Sequence, residues 1–164
     1  PVSGAHFNPA VTIALSMRRT FSIREVPVYI VAQVVGGLIG TFAAHFMFEL
    51  DLVTWSTHVR TGVPQWFAEV ISAFGLVGTI LACVRFSPTA IPYAVGLFIA
   101  AGYWFTSSTS FANPAVAIAR ALTDTFSGIR PLDVPAFIAA EIAGAMLAAL
   151  VFGWLLKPGS NDVK

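Results

Sequence analysis

Charge is what this sequence has least of. Asp, Glu, Lys and Arg make up 10% of its 164 residues, against about a quarter in a soluble domain, while 57% are hydrophobic and the mean hydropathy is +0.80. A chain this poor in charge cannot clothe a water-facing surface and belongs in a bilayer. The net charge is +1 and no basic run exceeds Arg18-Arg19, which argues against a nucleic-acid partner. Cysteine is nearly absent: Cys83 stands alone in an apolar run, leaves no intrachain disulfide, and reads as a small core residue. His45 and His58 have no partner at metal-ligand spacing, so no metal site and no cofactor are expected. The opening Pro1-Val-Ser-Gly has no charged region ahead of an apolar core, so it is not expected to be a signal peptide, and the chain reads as beginning inside a larger fold.

What is present is a pair of Asn-Pro-Ala boxes, Asn8-Pro9-Ala10 and Asn113-Pro114-Ala115, each followed by a short apolar run of the form Ala-Val-x-Ile-Ala. Asn is a strong N-cap, and Pro suits the first helical position, where its missing N–H costs nothing. Each box therefore predicts a helix start. The apolar part of the first is under ten residues, too short to cross a core about 30 Å thick at about 1.5 Å per residue. Both boxes thus open half-spanning helices, the second running to about Leu122. Four longer apolar runs, 26–48, 64–84, 91–106 and 134–156, read as full spans. Polar connectors lie at 16–25, 49–63, 85–89 and 124–133, and a charged tail at 157–164.

The boxes belong to a longer repeat. Thr-Phe-Ser recurs at 20–22 and 125–127, and Val-Pro-x-x-Ile-x-Ala-Gln/Glu-x-x-Gly at 26–36 and 134–144. Three full spans separate the half-helices, so the two copies enter from opposite faces as an inverted-topology repeat. The chain is expected to form one transmembrane domain over 1–164, with a first repeat at 1–48 and a second at 64–156. The second has two spans ahead of its box and the first has none, so by symmetry two spans are expected before Pro1. If the first connector is cytoplasmic, that side holds Arg18, Arg19, Arg24, Arg85, Lys157 and Lys164, and the other holds Arg60, Arg120 and Arg130. This bias puts the first box and the C-terminus on the cytoplasmic side.

On the residues Ser3-Gly-Ala-His-Phe-Asn-Pro-Ala-Val-Thr12 and Asn113-Pro-Ala115, the sequence resembles the major intrinsic protein family, the aquaporins and aquaglyceroporins. The resemblance covers nearly the whole chain. It implies an all-α membrane fold with four full transmembrane helices and two Asn-Pro-Ala half-helices, the first two of the family's six spans being absent. It also implies a passive channel for small neutral solutes, with no enzymatic activity, and an assembly of four copies in the membrane.

In such a fold the half-helix N-termini would meet near the midplane, where their dipoles repel cations and Asn8 and Asn113 offer N–H donors to a passing molecule. The extended lead-ins would line the path with carbonyls, which is tolerated at membrane depth only beside a water-filled cavity. After the second Ala the family usually carries Arg; here it is Val116, which leaves a wider and more apolar outer ring. That box looks like those of bacterial, inner-membrane members associated with arsenite and related metalloid acids, so glycerol-like polyols and metalloid acids are the expected solutes, with water secondary. Further filter positions fall on Ser110 or Phe111, and on Ala101 or Tyr103. Arg120 reads as a surface or headgroup contact.

Two carboxylates lie within spans. Glu69 resembles the family's buried glutamate that supports a re-entrant loop through backbone N–H groups, and Glu141 matches Gln33 across the repeat, each a polar side chain packed on a half-helix. His6 reads as a loop anchor. Gly36, Gly37 and Gly40, with Gly144, Ala145 and Ala148, read as small faces for close helix packing. Two other classes remain: a truncated remnant that inserts without conducting, and an ion-coupled transporter. No intramembrane acid pairs with a base to move protons, which disfavours the transporter.

Overall fold

A computed structural model describes residues 2–157, so of the tail at 157–164 only Lys157 is described. Among the described residues every regular element is helical: α1 (Pro9–Met17), α2 (Val26–Met47), α3 (Val63–Phe86), α4 (Ile91–Phe105), α5 (Pro114–Arg120) and α6 (Val134–Leu155). A 3-10 turn, Pro88–Ala90, leads into α4, and another, Pro131–Asp133, leads into α6. All six helices have Pro in the first turn, where it pre-sets φ without removing a bonded N–H.

Four helical segments are long and apolar enough to cross a membrane: Val26–Met47, Val63–Phe86, Pro88–Phe105 and Pro131–Leu155. The third reaches that length only by counting its 3-10 turn. The expected spans are therefore present with ends shifted by a residue or two. α1 and α5 have nine and seven residues, about 14 and 10 Å long, and stop far short of spanning. The second half-helix ends at Arg120 rather than Leu122, because Ala121 caps it and the chain turns.

The centre is a four-way junction. α3 packs along α6, α1 packs against both α6 and α2, and α5 packs against both α2 and α6. Each half-helix thus contacts the span that follows its own box and the span that follows the other box. The buried core is built from small residues, Ala10, Ala14, Ala73, Ala145, Ala148 and Ala149 among them, since helices can approach closely only where side chains are short. A second cluster of larger side chains, with Phe111, Ile129 and Phe137 at its heart, packs beneath the second box.

The expected small faces divide into two groups. A Cβ on Gly144 would overlap the Val70 backbone, and one on Gly37 would sit 3.4 Å from the Ala115 carbonyl oxygen; Gly36 and Gly40 have nothing within 4 Å. Gly144 and Gly37 therefore make close contacts that Gly36 and Gly40 do not. The reason is rotation: Gly37 lies on the side of α2 that meets α5, whereas Gly36 and Gly40 lie on its outward side. Large apolar side chains, Val28, Val31, Val35 and Ile39 on α2 and Leu97 and Trp104 on α4, are exposed. This suits hydrocarbon or another helix.

Gly144→Ala should lower the thermal midpoint in detergent markedly, by a destabilisation of about 1–3 kcal/mol from overpacking against backbone. Gly36→Ala should leave the midpoint unchanged or raise it, because Ala is the better helix former and meets open space.

Candidate functional site

The two lead-ins share an unusual backbone. Gly4, Ala5 and Phe7 have positive φ, and so do Thr109, Ser110 and Ala112, the residues 105 positions later. Left-handed conformation at non-glycine residues is strained, and its recurrence at aligned positions marks a shape imposed by the surroundings. The twist directs the carbonyls of Phe7 and Ala112 toward the opposite box.

Those carbonyls are taken up reciprocally. Asn8 Nδ2 donates to the Ala112 carbonyl at 2.6 Å, and Asn113 Nδ2 donates to the Phe7 carbonyl at 2.9 Å. At the same time Asn8 Oδ1 accepts from the Ala10 N–H at 2.9 Å, and Asn113 Oδ1 accepts from the Ala115 and Val116 N–H groups at 3.0 and 3.4 Å. Each Asn is both cap and cross-tie. One amide hydrogen of each is thereby committed within the protein, where the sequence reading has both amides as donors to a passing molecule. Pro9 and Pro114 are buried and occupy the first helical position, and Ala10 and Ala115 are buried in the junction.

The second lead-in is held by carboxylates. Glu69, fully buried, accepts from the Phe111 N–H at 2.9 Å and the Ala112 N–H at 2.7 Å. Glu141, also fully buried, accepts from the Asn113 N–H at 3.0 Å through one oxygen, and its other oxygen has no hydrogen-bond partner. The first lead-in is held by neutral groups. Thr12 Oγ1 donates to the Asn8 carbonyl at 3.0 Å and accepts from Gln33 Nε2 at 2.9 Å. Its one hydrogen is thus spent, so His6 Nδ1, 3.1 Å away, is the donor of that pair. The Tyr29 hydroxyl accepts from the His6 N–H at 3.3 Å and donates to the Ser3 carbonyl at 2.9 Å. Gln33 and Glu141 are matched in sequence but bond to different parts of their half-helices.

Val116 is half-buried and stands where two grooves meet. One, about 550 Å³, runs past Phe7, Tyr29 and Gln33; the other, about 740 Å³, runs past Thr41, His45, Arg120 and Thr123. Gly37 also lines both. The remaining filter candidates sit elsewhere. The Ser110 side chain packs where Gly102 of α4 has no Cβ, Phe111 is buried beneath the box, and Ala101 and Tyr103 are exposed on α4 and line neither groove.

Two arginines depart from the sequence reading. Arg60 lies in the connector read as polar at 49–63 yet is 6% exposed: its Nε, Nη1 and Nη2 donate to the carbonyls of Gly128, Ser108 and Phe126 at 2.7, 3.2 and 2.9 Å. Its carbon Cζ lies 5.1 Å from the centroid of the Phe111 ring. Burial, and the charge of Arg120 nearby, lower its pKa from the ordinary arginine value. Arg120, read as a surface or headgroup contact, is half-buried with its Cζ 4.4 Å from the same ring. The physical reason is that α5 is so short that its last residue is still inside the fold. Nothing local marks Arg60 as buried, because its three acceptors lie 48 to 68 residues away.

Around these groups the 49–62 loop is laced to 121–133. Thr54 and Ser56 N–H groups donate to the Leu122 and Ala121 carbonyls, and Arg60 N–H to Asp133 Oδ2. Asp124 Oδ1 accepts from the Thr57 N–H at 2.8 Å and hydroxyl at 3.0 Å. Among the described residues no group of three His, Cys, Asp or Glu side chains could hold a metal ion.

Glu69→Gln should destabilise more than Glu141→Gln. Gln retains a single carbonyl acceptor, which suffices for the one N–H at Glu141 but leaves a buried donor facing an amide at Glu69, a loss of about 1.5–3 kcal/mol; thermal midpoints in detergent compare them. A second expectation concerns pH. The Thr57 N–H, and then its hydroxyl, hold the Asp124 carboxyl below the ordinary value. A depressed folded pKa means that the loop tie is at full strength above the ordinary value of about 3.9 and is lost as pH falls through the lowered pKa. The protection factor of the Thr57 amide, its exchange rate relative to the intrinsic rate at the same pH, should fall on acidification in the native chain, and Asp124→Asn should remove that dependence.

The sequence profile described as "Major intrinsic protein" matches residues 1–86. Over all of its 164 residues the chain is 54% identical to the "Aquaglyceroporin AqpS" of Rhizobium meliloti (strain 1021), spanning 70% of that protein. It is 39% identical over 130 residues to the "Glycerol uptake facilitator protein" of Bacillus subtilis (strain 168), covering 70% of this chain and 47% of that one. To "Aquaporin NIP6-1" of Arabidopsis thaliana it is 33% identical over 166 residues, covering 98% of this chain and 53% of the relative. The chain thus spans from about half to 70% of the length of these relatives. Two crossed Asn-Pro-Ala half-helices among four span-length helices, together with these matches, make the chain an integral membrane protein of the major intrinsic protein family.

Proposed function

We propose that the chain forms a passive path for small uncharged solutes, glycerol-like polyols and arsenite or related metalloid acids, with water secondary. The observation that carries this reading is the reciprocal Asn–carbonyl tie, which holds two half-helix N-termini face to face at the centre of the fold. Similarity to a protein named as an aquaglyceroporin and to one named as a glycerol uptake facilitator supports a path for small solutes.

The roles follow from the geometry. Asn8 and Asn113 each present one remaining amide hydrogen to a hydroxyl or carbonyl oxygen. Opposed helix dipoles disfavour a cation at the centre. Val116, beside Gly37 and Ala115, forms an apolar passage between the two grooves; the further filter positions taken from the resemblance, Ser110 or Phe111 and Ala101 or Tyr103, lie outside both grooves. Glu69, Glu141, Gln33 and His6 hold the two lead-ins in shape. Proton transfer or bond making has no part in this reading. The unit is a single domain in a bacterial inner membrane, with the C-terminus cytoplasmic. Four copies would pack through the exposed apolar sides of α2 and α4.

One observation favours a second reading. The grooves beside Val116 run along α2 and α5 and are open on the outside. If hydrocarbon fills them, the chain inserts without conducting. Stopped-flow swelling with glycerol and arsenite uptake in proteoliposomes test both readings, using this chain and a version with two spans placed ahead of Pro1. Flux in either form supports the path, whereas flux only in the extended form supports the second reading for the chain alone. Silence in both overturns the channel. In a conducting form, Val116→Arg should cut glycerol flux at least about tenfold, because the larger side chain fills the passage and adds a fixed charge.

A further inference from the structure

Arg120 and Val116 are four residues apart on α5 and so share one face of the helix. Side chains on a helix lean toward its N-terminus, which brings a long residue at 120 back over the turn that begins at 116. Both line the same groove, together with Thr41, His45 and Thr123.

The two arginines beside Phe111 are in opposite situations. Arg60 is buried, and each of its three side-chain nitrogens donates to a backbone carbonyl. Arg120 is half-buried and, among the described residues, its side chain has no hydrogen bond or ion pair; its guanidinium only rests on the ring, 4.4 Å from the centroid. Stacking on an aromatic face fixes a guanidinium in place while leaving its in-plane donors free. A positioned cation with open donors therefore stands in a largely apolar groove, about 6 Å beyond position 116 at about 1.5 Å per residue.

We propose that Arg120 is a specificity-determining residue: it supplies the fixed positive charge and hydrogen-bond donors of the outer constriction, displaced one turn outward from the passage at Val116. Phe111 is its platform. Arg60 positions that platform by tying the 49–62 loop to the second lead-in and to the 126–128 segment. The displacement separates two tasks. Val116 leaves the passage between the grooves apolar and uncharged, while the charge in the larger groove repels cations without obstructing neutral solutes.

This inference rests on the channel reading, and the test separates the two. Wild type, Arg120→Gln and Arg120→Lys are reconstituted in proteoliposomes in equal amounts, in whichever form passes glycerol. Glycerol swelling and potassium-driven leak are then measured. Arg120→Gln should keep glycerol flux within about twofold and raise cation leak at least about tenfold, since a unit charge a few ångströms from the path shifts a cation's energy by more than that factor requires. Arg120→Lys should keep leak near the wild-type level. Arg120→Gln liposomes as cation-tight as wild type overturn the proposal and leave the channel standing. Loss of glycerol flux in Arg120→Gln, or a Lys variant as leaky as the Gln variant, also overturns it, by showing a structural or shape-dependent role instead of charge. If no form passes glycerol, arsenite or water, the channel reading falls and this inference with it.

Discussion

Two hydrogen bonds hold the middle of this protein together: Asn8 to the carbonyl before Asn113, and Asn113 to the carbonyl before Asn8. Neither half-helix is stable by itself at nine and seven residues, since isolated helices of that length are marginal even in water. Each is held because its N-terminus is capped by the residue that also reaches the other half-helix. The left-handed residues before each box direct their carbonyls to where the opposite amide can find them. Backbone strain there is the cost of placing non-helical chain at membrane depth with its polar groups satisfied.

Around that tie the two halves are similar in path and different in chemistry. Carboxylates claim three successive N–H groups of the second lead-in, at Phe111, Ala112 and Asn113. The first lead-in relies on Tyr29, Thr12, His6 and Gln33. Charged acceptors bind more strongly than neutral ones. Glu69 takes the N–H of Phe111 itself, on whose ring Arg60 and Arg120 rest. The second half is thus the more electrostatically organised, with the charged groups concentrated between the second box and the loops that cover it.

Much of the architecture was legible in the residues. Asn-Pro at a helix start, apolar runs of spanning and half-spanning length, and recurrence at a fixed offset depend only on local sequence, and the helices lie where those signals put them. Glu69 was readable as a loop support only through its resemblance to the family's buried glutamate. The rotation of α2 was not readable: Gly36, Gly37 and Gly40 look alike in sequence, but only Gly37 meets α5. Nor was Arg60, whose burial depends on three carbonyls from two distant segments, nor Arg120, which read as a surface or headgroup contact until the shortness of α5 placed it beside Phe111.

The sequence by itself determined the solvent, the helix count, the inverted pairing of the two boxes and the apolar residue at position 116, because composition, run length and capping chemistry act over a few neighbouring residues. Only the tertiary structure decided that each Asn is a tie as well as a cap, that Ser110 packs against Gly102 and not along the groove, and that the two arginines gather on one ring. Those outcomes depend on directions and distances between different segments of the chain, which hydrogen bonding and close packing fix only once the helices have come together.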